Sequence, residues 1–240
     1  MTASPLEPSR APFPIQMEGG AELSGVLHRP ARATPPSGAA IALGHGAGAD
    51  MNSAPLIPVA DGLAARGHLV LRYNFPYMDA GRKLPDPPAV LEKAARAAAA
   101  ALGREAKGPV FLGGKSMGGR MASMAASRKT AIPGLAGLVF LGYPLHPAGQ
   151  PEKLRDRHLP AAAVAAPLLF LQGSRDALCD LDLLAPVLER LGGRATLHVV
   201  EGADHGFAVR KKDQREPEGV AREIIDTTDA WVRARLLETR

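Results

Sequence analysis

Gly114-Lys115-Ser116-Met117-Gly118-Gly119 is the stretch on which the reading turns. Just before it stands the apolar run Pro109–Leu112, which reads as a short buried strand, and after it Met117–Arg128 carries a helical pattern. A serine between glycines at a strand-to-helix turn sits on a bend so tight that its neighbours must be small, and its hydroxyl is thrust above the sheet edge. The following helix offers its N-terminus, where negative charge is favoured. Ser116 is therefore the candidate nucleophile. Gly114-Lys115-Ser116 also resembles the end of a phosphate-binding loop, but that motif needs a glycine at position 109, where this chain has Pro109.

Outward from this turn, strand-like and helix-like segments alternate. Phe13–Glu18 and Glu22–Arg29 suggest a starting hairpin. Ala39–Leu43 and His68–Tyr73 read as strands around a helix over Ala54–Arg66 that stops at Gly67. The Ala-rich Ala89–Leu102 favours helix. Ala136–Leu141 and Leu168–Leu171 are near-continuous apolar runs, as expected of strands covered on both faces. Leu181–Leu191, Ala195–Val200 and Gly219–Leu237 add a helix, a strand and a closing helix. The alternation predicts an α/β fold with a mostly parallel central sheet and helices on both faces. A flexible lead-in is expected over residues 1–12 and one domain over 13–240. The stretch from His146 to Leu171 has room for one short helix and no large lid, so a site on this sheet should be open.

A serine hydroxyl needs a base within hydrogen-bond reach. Of the 7 histidines, His205 stands in Gly202-Ala203-Asp204-His205-Gly206-Phe207, just past the last strand pattern and before the closing helix. His198 falls inside that strand pattern and reads as a packed or edge residue. The acid is expected after the preceding strand, where Gln172-Gly173-Ser174-Arg175-Asp176 places a carboxylate at the sheet's carboxyl edge. Asp176 is favoured over Asp180, which with Asp182 looks like a cap and first turn of the next helix. Asp204 reads as stabilising its own loop. Oxyanion donors are expected from the N–H of Met117 and from Gly44-His45-Gly46-Ala47-Gly48, with Ala47 preferred and Gly46 the alternative, and His45 bracing the loop. Asn74, Phe75, Tyr77, Arg120, Tyr143 and His146 are candidate substrate-pocket residues, because all fall near strand carboxyl ends or the elbow.

His45-Gly46-Ala47-Gly48-Ala49-Asp50-Met51, Gly114-Lys115-Ser116-Met117-Gly118-Gly119-Arg120 and Gly142-Tyr143-Pro144-Leu145-His146-Pro147 together resemble the α/β-hydrolase superfamily. They are most similar to its small, lidless dienelactone-hydrolase-like and testis-expressed-protein-like members. The resemblance runs from about residue 13 to 238 and implies Ser116, Asp176 and His205 as a catalytic triad. Dienelactone hydrolases proper carry a cysteine nucleophile where this chain has Ser116, so lactone specificity is not implied. The expected activity is hydrolysis of a carboxylic ester or related acyl bond of a small substrate, with no cofactor and no metal. The alternative, from another class, is a non-catalytic interaction protein that keeps the fold.

Composition narrows the remaining classes. The 240 residues are 46% hydrophobic and 22% charged, an ordinary globular balance. The net charge of +5 comes from basic residues scattered mostly singly. Their densest cluster, Arg210-Lys211-Lys212, is followed by Asp213 and Glu216, and aromatics are only 4%, so no specific nucleic-acid partner is expected. No run approaches the ~18 apolar residues of a membrane span, so no membrane partner is expected. One cysteine, Cys179, allows no internal disulfide. A cytoplasmic location is the resulting expectation.

Overall fold

The computed structural model describes residues 7–31 and 33–238. Its strands are β1 (Ser9–Pro12), β2 (Ile15–Gln16), β3 (Glu22–Leu23), β4 (Gly25–Arg29), β5 (Ala40–Gly44), β6 (Leu69–Tyr73), β7 (Val110–Lys115), β8 (Leu135–Leu141), β9 (Leu168–Gly173) and β10 (Ala195–Val200). The helices are α1 (Leu56–Ala65), α2 (Pro76–Asp79), α3 (Pro88–Ala106), α4 (Met117–Ala126), α5 (Leu159–Ala165), α6 (Leu181–Leu191) and α7 (Pro217–Glu238). Eight strands form one sheet in the order β1-β4-β6-β5-β7-β8-β9-β10. From β6 to β10 every pairing is parallel, while β1 and β4 are antiparallel at one edge. This is the α/β-hydrolase fold expected from the sequence.

The near-continuous apolar runs of the central strands follow from burial on both sides, because successive side chains point to opposite faces. Ala40, Ala42, Val110, Leu112, Leu138, Phe140, Leu168 and Phe170 face one core, which the apolar sides of α2 to α6 cover. Ile41, Leu43, Phe111, Val139, Leu141, Leu169 and Leu171 face the other, beneath α1 and α7. In α3 the buried residues are mostly alanines, Ala94, Ala95, Ala98, Ala99 and Ala101, and α4 meets them with Ala122, Ala125 and Ala126. Truncating a central leucine such as Leu112 or Leu138 to alanine should cost about 2–5 kcal/mol.

Four details differ from the sequence expectations. Ser9–Pro12, within the expected lead-in, pairs antiparallel with β4; Met1–Leu6 lies outside the described residues. The starting hairpin is confined to β2 and β3, while β4 turns away into the large sheet. The strand expected to stop at Leu112 runs through Gly113 and Gly114 to Lys115, because β5 and β8 pair with it on both sides. The short helix α2 was not foreseen. The segment between β8 and β9 holds only the 7-residue α5, leaving the carboxyl ends of the strands without a lid domain.

Candidate active site

β7 delivers Ser116 at the carboxyl edge of the sheet, where α4 begins. Ser116 adopts φ 51°, in the left-handed region that residues with a Cβ rarely enter. Its N–H donates to the Leu141 carbonyl at 3.1 Å, and its own carbonyl accepts from Arg120 N–H at 3.1 Å, so the turn is pinned on both sides. The hydroxyl does not cap α4 and is left available above it. The flanking glycines are a packing requirement. A Cβ on Gly114 or Gly118 would lie 2.1 Å or 2.2 Å from the Gly44 carbonyl oxygen at the end of β5.

His205 reaches the same spot from the loop after β10. Asp204 shapes that loop: its Oδ1 accepts from the N–H groups of Gly206 at 2.8 Å and Ala208 at 2.9 Å, the stabilising role expected of it. His205 Nε2 lies 2.9 Å from Ser116 Oγ and Nδ1 lies 2.7 Å from Asp176 Oδ2. An ionised carboxylate only accepts, so Nδ1–H donates to Asp176, which leaves Nε2 to accept the serine proton. The Asp176 side chain is fully buried. Its Oδ2 also accepts from Gln172 Nε2 at 2.5 Å, and its Oδ1 accepts from Leu178 N–H at 2.7 Å. Asp180 instead accepts from Asp182 N–H at 2.9 Å and caps α6.

The glycine loop after β5 closes over the serine. A Cβ on Gly46 would lie 3.6 Å from Ser116 Cβ, and Ala47 beside it is exposed. Buried His45 ties the loop down: its Nδ1 donates to the Gly46 carbonyl at 2.8 Å and its Nε2 accepts from Phe75 N–H at 3.0 Å. Burial pushes the His45 imidazole below its ordinary range, consistent with a neutral brace. Met117 N–H stands at the first turn of α4, where helix N–H groups have no intrahelical acceptor.

Most of the candidate pocket residues are packed in the core or brace loops. Phe75, Tyr77 and Tyr143 are wholly buried; Phe75 and Tyr77 meet the His45 ring edge-on, and Tyr143 packs on Phe140 and Phe170. Aromatic residues at strand ends served the core here instead of an open surface. Asn74 braces loops by accepting from Met51 N–H at 2.9 Å and donating to Asp79 at 2.9 Å. His146 joins its loop to the Asp180 N–H at 3.2 Å. Arg120 is partly exposed one turn along α4 from Ser116, and its Nε is buried without a hydrogen-bond partner among the described residues.

Two participants escaped the sequence reading. Gln172 donates to Asp176 and accepts from Tyr143 N–H at 2.8 Å, locking the acid to the end of β8. A buried glutamine closing an otherwise apolar strand was the available signal. Two further serine–histidine contacts stand apart from that of Ser116 and His205: Ser123 Oγ to His158 Nε2 at 2.8 Å, farther along α4, and Ser37 Oγ to His68 Nδ1 at 2.7 Å, before β5. Among the described residues no group of three or more His, Cys, Asp or Glu is placed to hold a metal, and no helix is long and apolar enough to cross a membrane.

The chain matches the alpha/beta hydrolase domain family over residues 37–233. Its fold is similar to that of a dienelactone hydrolase from Anabaena variabilis, with 21% identity over 94% of this chain and 97% of that one and a TM-score of 0.68. A serine hydrolase without a lid from Xanthomonas campestris is 19% identical over 91% and 94%, with a TM-score of 0.66. An α/β serine hydrolase homologue from Coxiella burnetii is 18% identical over 90% and 96%, with a TM-score of 0.69. At these identities the likeness concerns the fold, and together with the family match over most of its length it places this chain in the α/β-hydrolase domain family.

Proposed function

We propose that this protein is a serine hydrolase that cleaves a carboxylic ester or related acyl bond of a small substrate. The observation that carries the proposal is the histidine bridge, with His205 within 2.9 Å of Ser116 Oγ and 2.7 Å of Asp176 Oδ2. In this reading Ser116 Oγ attacks the acyl carbon while its proton passes to His205 Nε2. Asp176 fixes the imidazole tautomer and stabilises the imidazolium that forms. The carbonyl oxygen, now negative, accepts from the N–H groups of Met117 and Ala47. His205 then protonates the leaving alcohol, and the acyl group stays on Ser116. A water, deprotonated by His205, releases the acid and restores the serine.

The short connection through α5 favours small or exposed acyl groups, because nothing in it builds a deep enclosing wall. The fold neighbours named as serine hydrolases lend the same reading support. A panel of p-nitrophenyl esters of increasing chain length, run beside a thioester and an amide, tests it. Turnover of the short esters is the expected result. An absence of turnover across the whole panel would favour a non-catalytic role.

A further inference from the structure

Lys115, the residue between Gly114 and Ser116, is used by nothing described so far. It is 7% exposed, and its Nζ is buried with no hydrogen-bond partner among the described residues. A buried ammonium in that condition is costly, and a methionine of similar length would fill the space without the cost. Its surroundings explain its presence. A Cβ built on Gly142 would sit 3.0 Å from Lys115 Nζ, 3.3 Å from the His205 carbonyl oxygen and 3.5 Å from Asp176 Oδ2. The ammonium, the base's backbone and the acid thus converge on the space that Gly142 leaves open. Nζ also stands 5.8 Å from the centre of the buried Phe207 ring.

The charged and titratable groups that face Nζ come from two loops. Asp176 follows β9, and Asp204 and His205 follow β10; both carboxylates act on the ammonium through space. Cys179 lies near Asp176 too, but burial pushes its thiol up and keeps it uncharged. Asp176 is thus a fully buried carboxylate whose oxygens are engaged by His205, Gln172 and Leu178. A nearby positive charge compensates such a carboxylate without taking any of those acceptor positions.

We propose that Lys115 is the counter-ion of Asp176, a positioning residue whose charge compensates the buried acid from a distance and leaves Oδ2 to orient His205. This rests on the triad reading of Ser116, His205 and Asp176. Two effects act on the lysine itself: burial lowers its ammonium to about 8, and the two aspartates hold it up. It is therefore mostly charged at neutral pH. Removing that charge leaves the Asp176 carboxylate uncompensated, so the acid–histidine pair draws a proton more strongly.

The test is Lys115→Met. The acid limb of kcat/KM against pH, measured with a short p-nitrophenyl ester, should move up by about one pH unit. The His205 imidazole, followed by NMR in the ligand-free protein, should shift in the same direction. A merely structural role would lower kcat/KM at every pH and leave the limb in place, and that result overturns the proposal. Should Lys115→Met not fold, Asp176→Asn reads the same coupling from the other end. The Lys115 Nζ titration, followed through its Cε resonances, should then fall by about one pH unit. An unmoved lysine titration likewise overturns the proposal. If the native protein turns over no ester, the triad reading fails, while the two titrations still report whether Lys115 and Asp176 are coupled.

Discussion

Two serine–histidine contacts lie seven positions apart on the same helical segment, and their distances hardly differ. Ser116 Oγ stands 2.9 Å from His205 Nε2, and Ser123 Oγ stands 2.8 Å from His158 Nε2. Everything around them differs. Ser123 sits in the interior of α4, wholly buried, and its hydroxyl already donates to the Arg120 carbonyl at 2.8 Å. No carboxylate hydrogen-bonds to His158 among the described residues; instead burial and the nearby Arg120 lower its imidazole to about 4. His28 shows the converse arrangement. Its Nδ1 meets Asp61 at 2.9 Å, but Arg72 Nε donates to its Nε2 at 2.9 Å where a serine would be needed. His68 does bridge a serine and a carboxylate, with Ser37 Oγ 2.7 Å from its Nδ1 and Asp229 Oδ1 2.7 Å from its Nε2, but Ser37 lies in the loop before β5 with no left-handed backbone. Among the described residues, only the His205 site joins a carboxylate on one ring nitrogen to a serine on a strained, partly exposed turn. A short serine–histidine distance alone therefore does not make a nucleophile.

The largest effect expected from this contrast is on turnover. Ser116→Ala should lower kcat by about 10⁶, the loss seen when a triad loses its nucleophile. Ser123→Ala should leave steady-state kcat within a few-fold of native. Equal losses in both variants would erase the distinction. Asp176→Asn comes next, with a loss of about 10⁴ in kcat from the wrong imidazole tautomer. A loss below tenfold would remove Asp176 from its role.

Stability gives a smaller contrast. His28 and His158 are both lowered to about 4. Each binds a proton more weakly in the fold than in the unfolded chain, so the unfolded state takes up protons first. Stability should be full above about pH 6.5 and decline as the pH falls toward about 4, by on the order of 2–3 kcal/mol per histidine. Urea unfolding at pH 7, 5.5 and 4.5 measures the decline, and His158→Gln should make it shallower. A slope unchanged in that variant would mean that His158 is not held neutral by the fold. Smallest is the packing effect at the elbow. Gly118→Ala should destabilise by about 1–3 kcal/mol, because its Cβ must displace the β5 carbonyl at Gly44. Thermal unfolding checks it.

The difference between the two contacts also marks what the sequence could convey. The parallel strands were legible because both faces are buried, so their apolar runs are unbroken; β1, exposed and proline-bearing, and the four-residue α2 carry no such pattern. Ser116, Asp176 and His205 could be read from local loop chemistry and chain order. Gln172 and Lys115 could not, since their partners lie on other strands and loops and only the folded sheet brings them together. Phe75, Tyr77 and Tyr143, expected near a pocket, are wholly buried, because an aromatic side chain near a strand end suits a pocket and a core equally well until its neighbours are known.

The most direct test of the central claim is to treat the native protein with a fluorophosphonate and map the adduct by peptide mass spectrometry. The account predicts one adduct, on Ser116, with Ser123 unmodified, and its loss when His205 is replaced by glutamine. An unlabelled Ser116, or an adduct on Ser123 in its place, would contradict it.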